Sequence, residues 1–258
     1  MIDRLSNKVA IVTGGGSGFG EAISERFVAE GANVLVVDID QSAGSEVARR
    51  LGENARFFHA DVAVESSVRR TVDYACEAFG QLDIVVNNAG VASPPVAIDL
   101  MEEALFDRLF NTNVKSVFLF CRHAVPVLRA AGGGSIINTA STSALKPRPM
   151  NAGYAASKAA VLTLTKALAI DLGPYNINVN CICPQTTLTP QALQHRSEEF
   201  FAAESHRTPL GRLPTPEDHA TVALFLASSE SDYLTGVVLP VDAGILTATP
   251  LSMLHHLR

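Results

Sequence analysis

Tryptophan is absent from the 258 residues and only 6% are aromatic, so a core has to be built from aliphatic side chains. Four cysteines, Cys76, Cys121, Cys181 and Cys183, are too few and too scattered for a disulfide framework or a ligand spacing, and no metal is expected. On a strand, Cys181 and Cys183 would share one face, too close along one chain for an easy bridge, so buried free thiols are expected. No apolar run reaches the roughly 18 residues of a membrane span, and no basic run offsets a formal charge of −6, which excludes a membrane protein and a nucleic-acid partner. Met1-Ile2-Asp3-Arg4 leads straight into an apolar run, leaving no room for a signal peptide, so a cytoplasmic location is expected. No Pro/Ser-rich linker or composition break divides the chain, which predicts one domain over residues 1–258. Charged residues make up only 18% against 47% hydrophobic, a balance that implies a large core plus subunit interfaces.

The stretch from Lys8 to Asp38 organises the rest. Lys8-Val9-Ala10-Ile11-Val12 is a short β-branched run, stopped by Thr13-Gly14-Gly15-Gly16-Ser17-Gly18-Phe19-Gly20. Ala22, Ile23, Phe27 and Val28 then recur at helical spacing up to Gly31, and Val34-Leu35-Val36-Val37 ends at Asp38. This is a βαβ unit with a glycine turn at its first corner, where missing side chains let a pyrophosphate approach the N–H groups at the helix start. Strict G-x-G-x-x-G is not present, but strand, helix and terminal carboxylate all agree with dinucleotide binding through Gly14, Ser17, Gly18, Phe19 and Gly20. A nucleoside-triphosphate loop is excluded because no Gly-Lys-Ser/Thr follows. Asp38 stands eighteen residues beyond Gly20, positioned to accept from ribose hydroxyls and to repel a 2′-phosphate. With no Lys or Arg in the turn or at Ile39, NAD(H) is expected over NADP(H).

Further along, Ser42 to Leu51 reads as a helix and Arg56-Phe57-Phe58-His59 as a strand leading to Asp61-Val62. Asp61 suits either the adenine amino group or the polar start of the next helix, Glu65 to Phe79. Leu82 to Val86 is a fourth strand, followed by Asn87-Asn88-Ala89-Gly90, two amides that can tie strands together and small residues that let backbone approach a ligand.

Thr13-Gly14-x-x-x-Gly18-x-Gly20 together with Asn87-Asn88-Ala89-Gly90 resembles the NAD(P)-dependent short-chain dehydrogenase/reductase family. The resemblance implies a Tyr-x-x-x-Lys with a serine about a dozen residues earlier, and the sequence supplies Tyr154-Ala155-Ala156-Ser157-Lys158 and Ser141. It implies Asn113 as a fourth catalytic residue holding a water that relays protons to Lys158. It also implies a Rossmann-type doubly wound α/β fold, with a parallel seven-stranded sheet in the order 3-2-1-4-5-6-7 and helices on both faces, and a homotetramer. The match runs from Val9 to Gly244. By the same resemblance Asn88, Ala89, Gly90, Pro184, Thr187 and Thr189 join the cofactor contacts, with the Thr187 backbone and the Thr189 hydroxyl at the carboxamide. The chain departs from the family at Pro184-Gln185, where Pro-Gly is usual, so Gln185 either points at substrate or reshapes the turn.

The chemistry accounts for the spacing. Interconverting an alcohol and a ketone needs an acid/base group at the oxygen, and a phenol with a pKa near ~10 is a poor base at neutral pH. Lys158, one helical turn from Tyr154, is expected to favour the phenolate, while Ser141 holds the substrate oxygen. Ser143, Gln185 and Arg148 are the candidate substrate contacts, with Arg148 or Lys146 able to meet a substrate anion or merely to form a solvated loop tip. Leu145, Met150, Val91, Leu193, Phe200 and Phe201 suggest an apolar pocket. Residues 185–212 read as an irregular, mobile cover, and residues 245–258 as a tail lying on a neighbouring subunit. The function expected is NAD(H)-dependent interconversion of a secondary alcohol and a ketone. A 3-oxoacyl thioester reductase acting on acyl-carrier-protein or CoA is the enzyme alternative, and a cofactor-sensing binding protein the non-enzyme one.

Overall fold

The computed structural model describes residues 3–189, 192–193 and 197–247. Seven strands form one sheet: β1 (Val9–Thr13), β2 (Asn33–Asp38), β3 (Ala55–His59), β4 (Ile84–Asn87), β5 (Gly134–Thr139), β6 (Ile177–Pro184) and β7 (Val238–Val241). All neighbours pair in parallel, in the expected order β3-β2-β1-β4-β5-β6-β7. The helices are α1 (Gly18–Ala29), α2 (Gln41–Leu51), α3 (Glu65–Phe79), α4 (Glu103–Phe110), α5 (Ser116–Ala130), α6 (Ala152–Leu172), α7 (Glu198–Arg207) and α8 (Pro216–Ala227).

The central strands read as unbroken apolar runs because helices cover both faces. Successive side chains alternate between two cores. Ile11, Leu35, Val85, Ile136 and Val179 face α3, α5 and α6 through residues such as Val68, Phe120 and Val161. Ala10, Val12, Val34, Val36, Ile84 and Val86 face α1, α2 and α8 through Phe27, Val47 and Leu224. The sheet order reverses between β1 and β4, so the chain leaves their carboxyl ends in opposite directions and opens a crevice there.

The segment 185–212 is not wholly irregular as expected, because it contains the ten-residue α7. Ser197 caps it by accepting from the Phe200 N–H, with Glu198 and Glu199 in the first turn and His206 and Arg207 in the last. Few apolar residues mark it in sequence, since most of its surface faces solvent. Residues 248–258 of the expected tail lie outside the described residues. Among the described residues no helix is long and apolar enough to cross a membrane.

Candidate active site

The turn after β1 is built around two conflicts that only glycine avoids. Gly14 has φ +62°, and a Cβ on Gly20 would lie 2.0 Å from the Gly14 carbonyl oxygen. Ser17 precedes α1 in extended conformation without a side-chain cap, which leaves the first N–H groups of the helix free of that competitor. Thr13 Oγ1 donates to the Val86 carbonyl and accepts from the Asn88 and Ala89 N–H groups at 2.9 and 3.0 Å, and Asn88 Nδ2 donates back to Thr13 O at 2.9 Å. The turn after β4 is thereby locked to the glycine turn. Asn87, Asn138 and Thr165 continue the tie through β5 to α6 with bonds of 2.8 and 2.9 Å, as expected of the paired amides.

Asp38 ends β2 with both oxygens engaged: Oδ2 accepts from Gly16 N and Oδ1 from Asp40 N, each at 2.9 Å. Asp61 Oδ1 accepts from Ala63 N at 2.8 Å and does not cap α3, which Val64 precedes without a side-chain cap, and Asp61 and Val62 both line the crevice.

α4 and α5 are joined by a π turn over Asn111–Lys115. The wider turn inserts one residue of phase and brings the buried Asn113 inward. Its Oδ1 accepts from Val91 N at 2.8 Å, and its Nδ2 donates to Val91 O and Ser157 Oγ at 3.0 Å. A Cβ at Gly90 would lie 3.1 Å from Asn113 Oδ1 and 3.2 Å from Lys158 Nζ, so both polar groups flank the Gly90 backbone. Lys158 is buried in α6 and donates to the Thr139 carbonyl at 2.8 Å. Burial pulls its ammonium down to about 8, against a smaller upward push from the Cys181 and Cys183 thiols. For Tyr154 burial wins in the other direction: it raises the phenol, the Ser141 hydroxyl hydrogen bond draws it part of the way back, and Cys183 adds to the rise. The chain alone therefore does not produce the lowered phenol expected from the Lys158 spacing, because that ammonium is itself desolvated and turned to Thr139. The four cysteines are free, and three of them are buried.

These walls bound a cleft of about 1350 Å³ that Asp38 and Asp61 line along with Ser141, Tyr154 and Lys158. Ser143, Pro184, Gln185, Thr187, Thr189 and Arg148 line it too. Asn88 Oδ1, Ser93 Oγ and Gln185 Oε1, on residues of this lining, are buried without a hydrogen-bond partner among the described residues. The residues present fit a dinucleotide: a side-chain-free turn, a helix start and a carboxylate at the second strand's end.

The structure bears on three expectations for the substrate end. Of the six residues taken as an apolar pocket, Val91 and Phe200 line the cleft, whereas Leu145, Met150 and Leu193 are 45%, 53% and 56% exposed. Beside Val91 and Phe200 the lining mixes apolar Pro94, Pro95 and Ala192 with polar Ser143 and Thr186. Gln185 sends Nε2 to Thr208 Oγ1 at 3.3 Å, just past α7, and its backbone keeps negative φ, so the missing glycine costs no strain. Arg148 is partly solvated but not unpaired: its Nη2 lies 2.6 Å from Oε2 of Glu204, a buried carboxylate that also meets Arg207 at 3.0 Å. Sequence inspection missed Glu204, since a lone acid in a polar stretch carries no signal. It also missed His219, a buried imidazole 2.9 Å from Thr187 Oγ1. Among the described residues no cluster could hold a metal ion.

Parallel topology, glycine turn, and a Ser, Tyr and Lys beside the crevice belong together in one family, and the chain is a member of it, the short-chain dehydrogenase/reductases. A family model described as enoyl-(acyl carrier protein) reductase matches residues 14–246. The chain is 40% identical to (+)-borneol dehydrogenase 2 of Salvia officinalis over 255 residues, covering 93% of this chain and 90% of that protein. It is 37% identical to 3-oxoacyl-[acyl-carrier-protein] reductase FabG of Chlamydia muridarum, over 95% of this chain and all of that protein. The crystal structure of a 3-ketoacyl-(acyl-carrier-protein) reductase from Brucella melitensis complexed with NADH superposes with a TM-score of 0.88 at 40% identity, covering 93% of this chain and 99% of that one. The chain is thus an oxidoreductase that uses a nicotinamide cofactor.

Proposed function

We propose that the chain is an NAD(H)-dependent enzyme interconverting a secondary alcohol and a ketone, with Tyr154 as the acid/base group. The observation that carries this is the shared cleft, whose lining includes Asp38 and the glycine turn together with Ser141, Tyr154 and Lys158. When bound, NAD+ supplies the hydride acceptor and a positive charge beside the phenol. Ser141 Oγ holds the substrate oxygen, and the Tyr154 phenolate takes the hydroxyl proton as the carbon–oxygen double bond forms. In reduction the phenol returns that proton to the ketone oxygen. Lys158 stabilises the phenolate from within the helix. Asn113 braces Val91 and Ser157 around the pair through its side-chain amide, which makes it a positioning residue and leaves the water relay expected of it to its backbone carbonyl.

A reductase of 3-oxoacyl thioesters is the second reading. It is supported by two relatives of that name, one of them complexed with NADH, so NADH use does not count against it. Phe118 and Ile170, 48% and 78% exposed on α5 and α6, support assembly as a homotetramer, which sedimentation analysis tests. The test of function is a panel of secondary alcohols, hydroxy acids and polyols with NAD+, and acetoacetyl-CoA with NADH. Tyr154→Phe should lower turnover about 10²- to 10⁴-fold while NADH still binds. Undiminished turnover in that variant sinks the assignment.

A further inference from the structure

Thr187 Oγ1 has two neighbours and one proton. Its hydroxyl donates to the Gln185 carbonyl at 2.9 Å, a group that can only accept. The contact of 2.9 Å between Thr187 Oγ1 and His219 Nε2 must then run the other way, with the imidazole N–H donating to the hydroxyl oxygen. This fixes the tautomer: Nδ1 carries a lone pair, and it is buried with no partner among the described residues. The same ring meets Phe19 edge to face, with centroids 4.5 Å apart and planes at 77°. Phe19 belongs to the glycine turn and Thr187 to the loop after β6, and both line the cleft, whereas His219 stands behind them in the first turn of α8. The Thr187 backbone N–H makes no hydrogen bond among the described residues, while its carbonyl accepts from Thr189 N at 2.9 Å.

We propose that His219 is a positioning residue of the cofactor site: through Thr187 it aims a free backbone N–H at the nicotinamide carboxamide, and through Phe19 it sets how far that loop stands from the glycine turn. An apolar side chain in its place could fill the volume but could not orient the hydroxyl. Burial pushes the imidazole down to about 4, against an opposing pull from Asp218, so it is a neutral single donor at ordinary assay pH. The alternative, a histidine that only fills the interface between α1 and α8, predicts a loss shared by every part of the cofactor.

The inference rests on the reading of Thr187 as a carboxamide contact, and the experiment separates the two. NADH and ADP-ribose, which keeps the adenosine and pyrophosphate but lacks nicotinamide, are titrated into the full chain. His219→Leu should weaken NADH about tenfold, the loss of one buried hydrogen bond, and leave ADP-ribose within about twofold. His219→Gln, which restores an N–H donor, should recover most of the NADH affinity. Thr187→Val breaks the same bond from the other side and serves if His219→Leu does not fold; it should reproduce the NADH-specific loss. Equal weakening of both ligands, or unchanged NADH affinity, overturns the role of His219. If the unsubstituted chain holds NADH no more tightly than ADP-ribose, the carboxamide reading of Thr187 falls first, and this proposal with it.

Discussion

Asp38 is the residue on which cofactor choice turns, and its held position allows a magnitude. Backbone N–H groups of Gly16 and Asp40 each bond one of its oxygens at 2.9 Å, so the carboxylate cannot swing away from an arriving phosphate. Ile39, Asp61, Val62 and Ala63 share the lining, and none of them is cationic. A 2′-phosphate placed about 4 Å from Asp38 meets roughly 4 kcal/mol of repulsion per unit charge at an effective dielectric near 20. Salt and solvent reduce this to about 2–3 kcal/mol, or roughly 30- to 150-fold in the kcat/KM ratio of NADH to NADPH. Asp38→Asn removes the charge at nearly constant shape. Its amide turns an N–H toward one backbone donor, a cost of about 1 kcal/mol that weakens both cofactors alike and cancels in the ratio. Initial rates with each cofactor, in the parent and in Asp38→Asn, give the number. A parent enzyme that prefers NADPH, or a ratio that does not move on substitution, refutes the reasoning.

Lys158→Met should abolish efficient turnover yet stabilise the fold. The folded ammonium titrates at about 8 against 10.5 in the open chain, so its burial destabilises fully below pH 8 and the penalty is relieved as pH rises to 10.5. Allowing about 1 kcal/mol for the Thr139 carbonyl left unpaired, the gain at pH 7 is about 2 kcal/mol, and above pH 10.5 it turns into a loss of about 1 kcal/mol; urea unfolding at both pH values checks it. Arg148→Ala leaves the buried Glu204 with Arg207 alone and should loosen α7, raising KM for the alcohol several-fold while the NADH dissociation constant stays put. Unchanged KM for every accepted substrate would show that the Arg148–Glu204 pair does not shape the site. Gly20→Ala drives a methyl to 2.0 Å from the Gly14 oxygen, and NADH binding measured by fluorescence should be lost with a few kcal/mol of overpacking.

How far the site could be read in advance depended on how far apart its partners lie in the chain. Lys158 follows Tyr154 by one helical turn, a relation that local geometry makes visible, but the carbonyl that holds Lys158 belongs to Thr139, nineteen residues back. Arg148 looked like a loop-tip cation because its partner Glu204 is 56 residues away, on a helix too polar to announce itself. The mixed lining of the substrate end was equally hidden, since whether Leu145 or Ser143 faces the cleft depends on how the turn after β5 packs.

The βαβ unit from Val9 to Asp38 and the alternation of strands and helices were determined by the sequence itself, and the sheet order followed from the family its motifs resemble. Local propensity, glycine conformation and right-handed crossovers leave few other solutions. Tertiary structure alone decided the ionisation of Tyr154 and Lys158, the pairing of Arg148, the direction of the Gln185 amide and the place of His219 behind Thr187. Each of these depends on burial and on contacts between distant segments, and charge and hydrogen-bond energies are set by that surrounding medium rather than by neighbours along the chain.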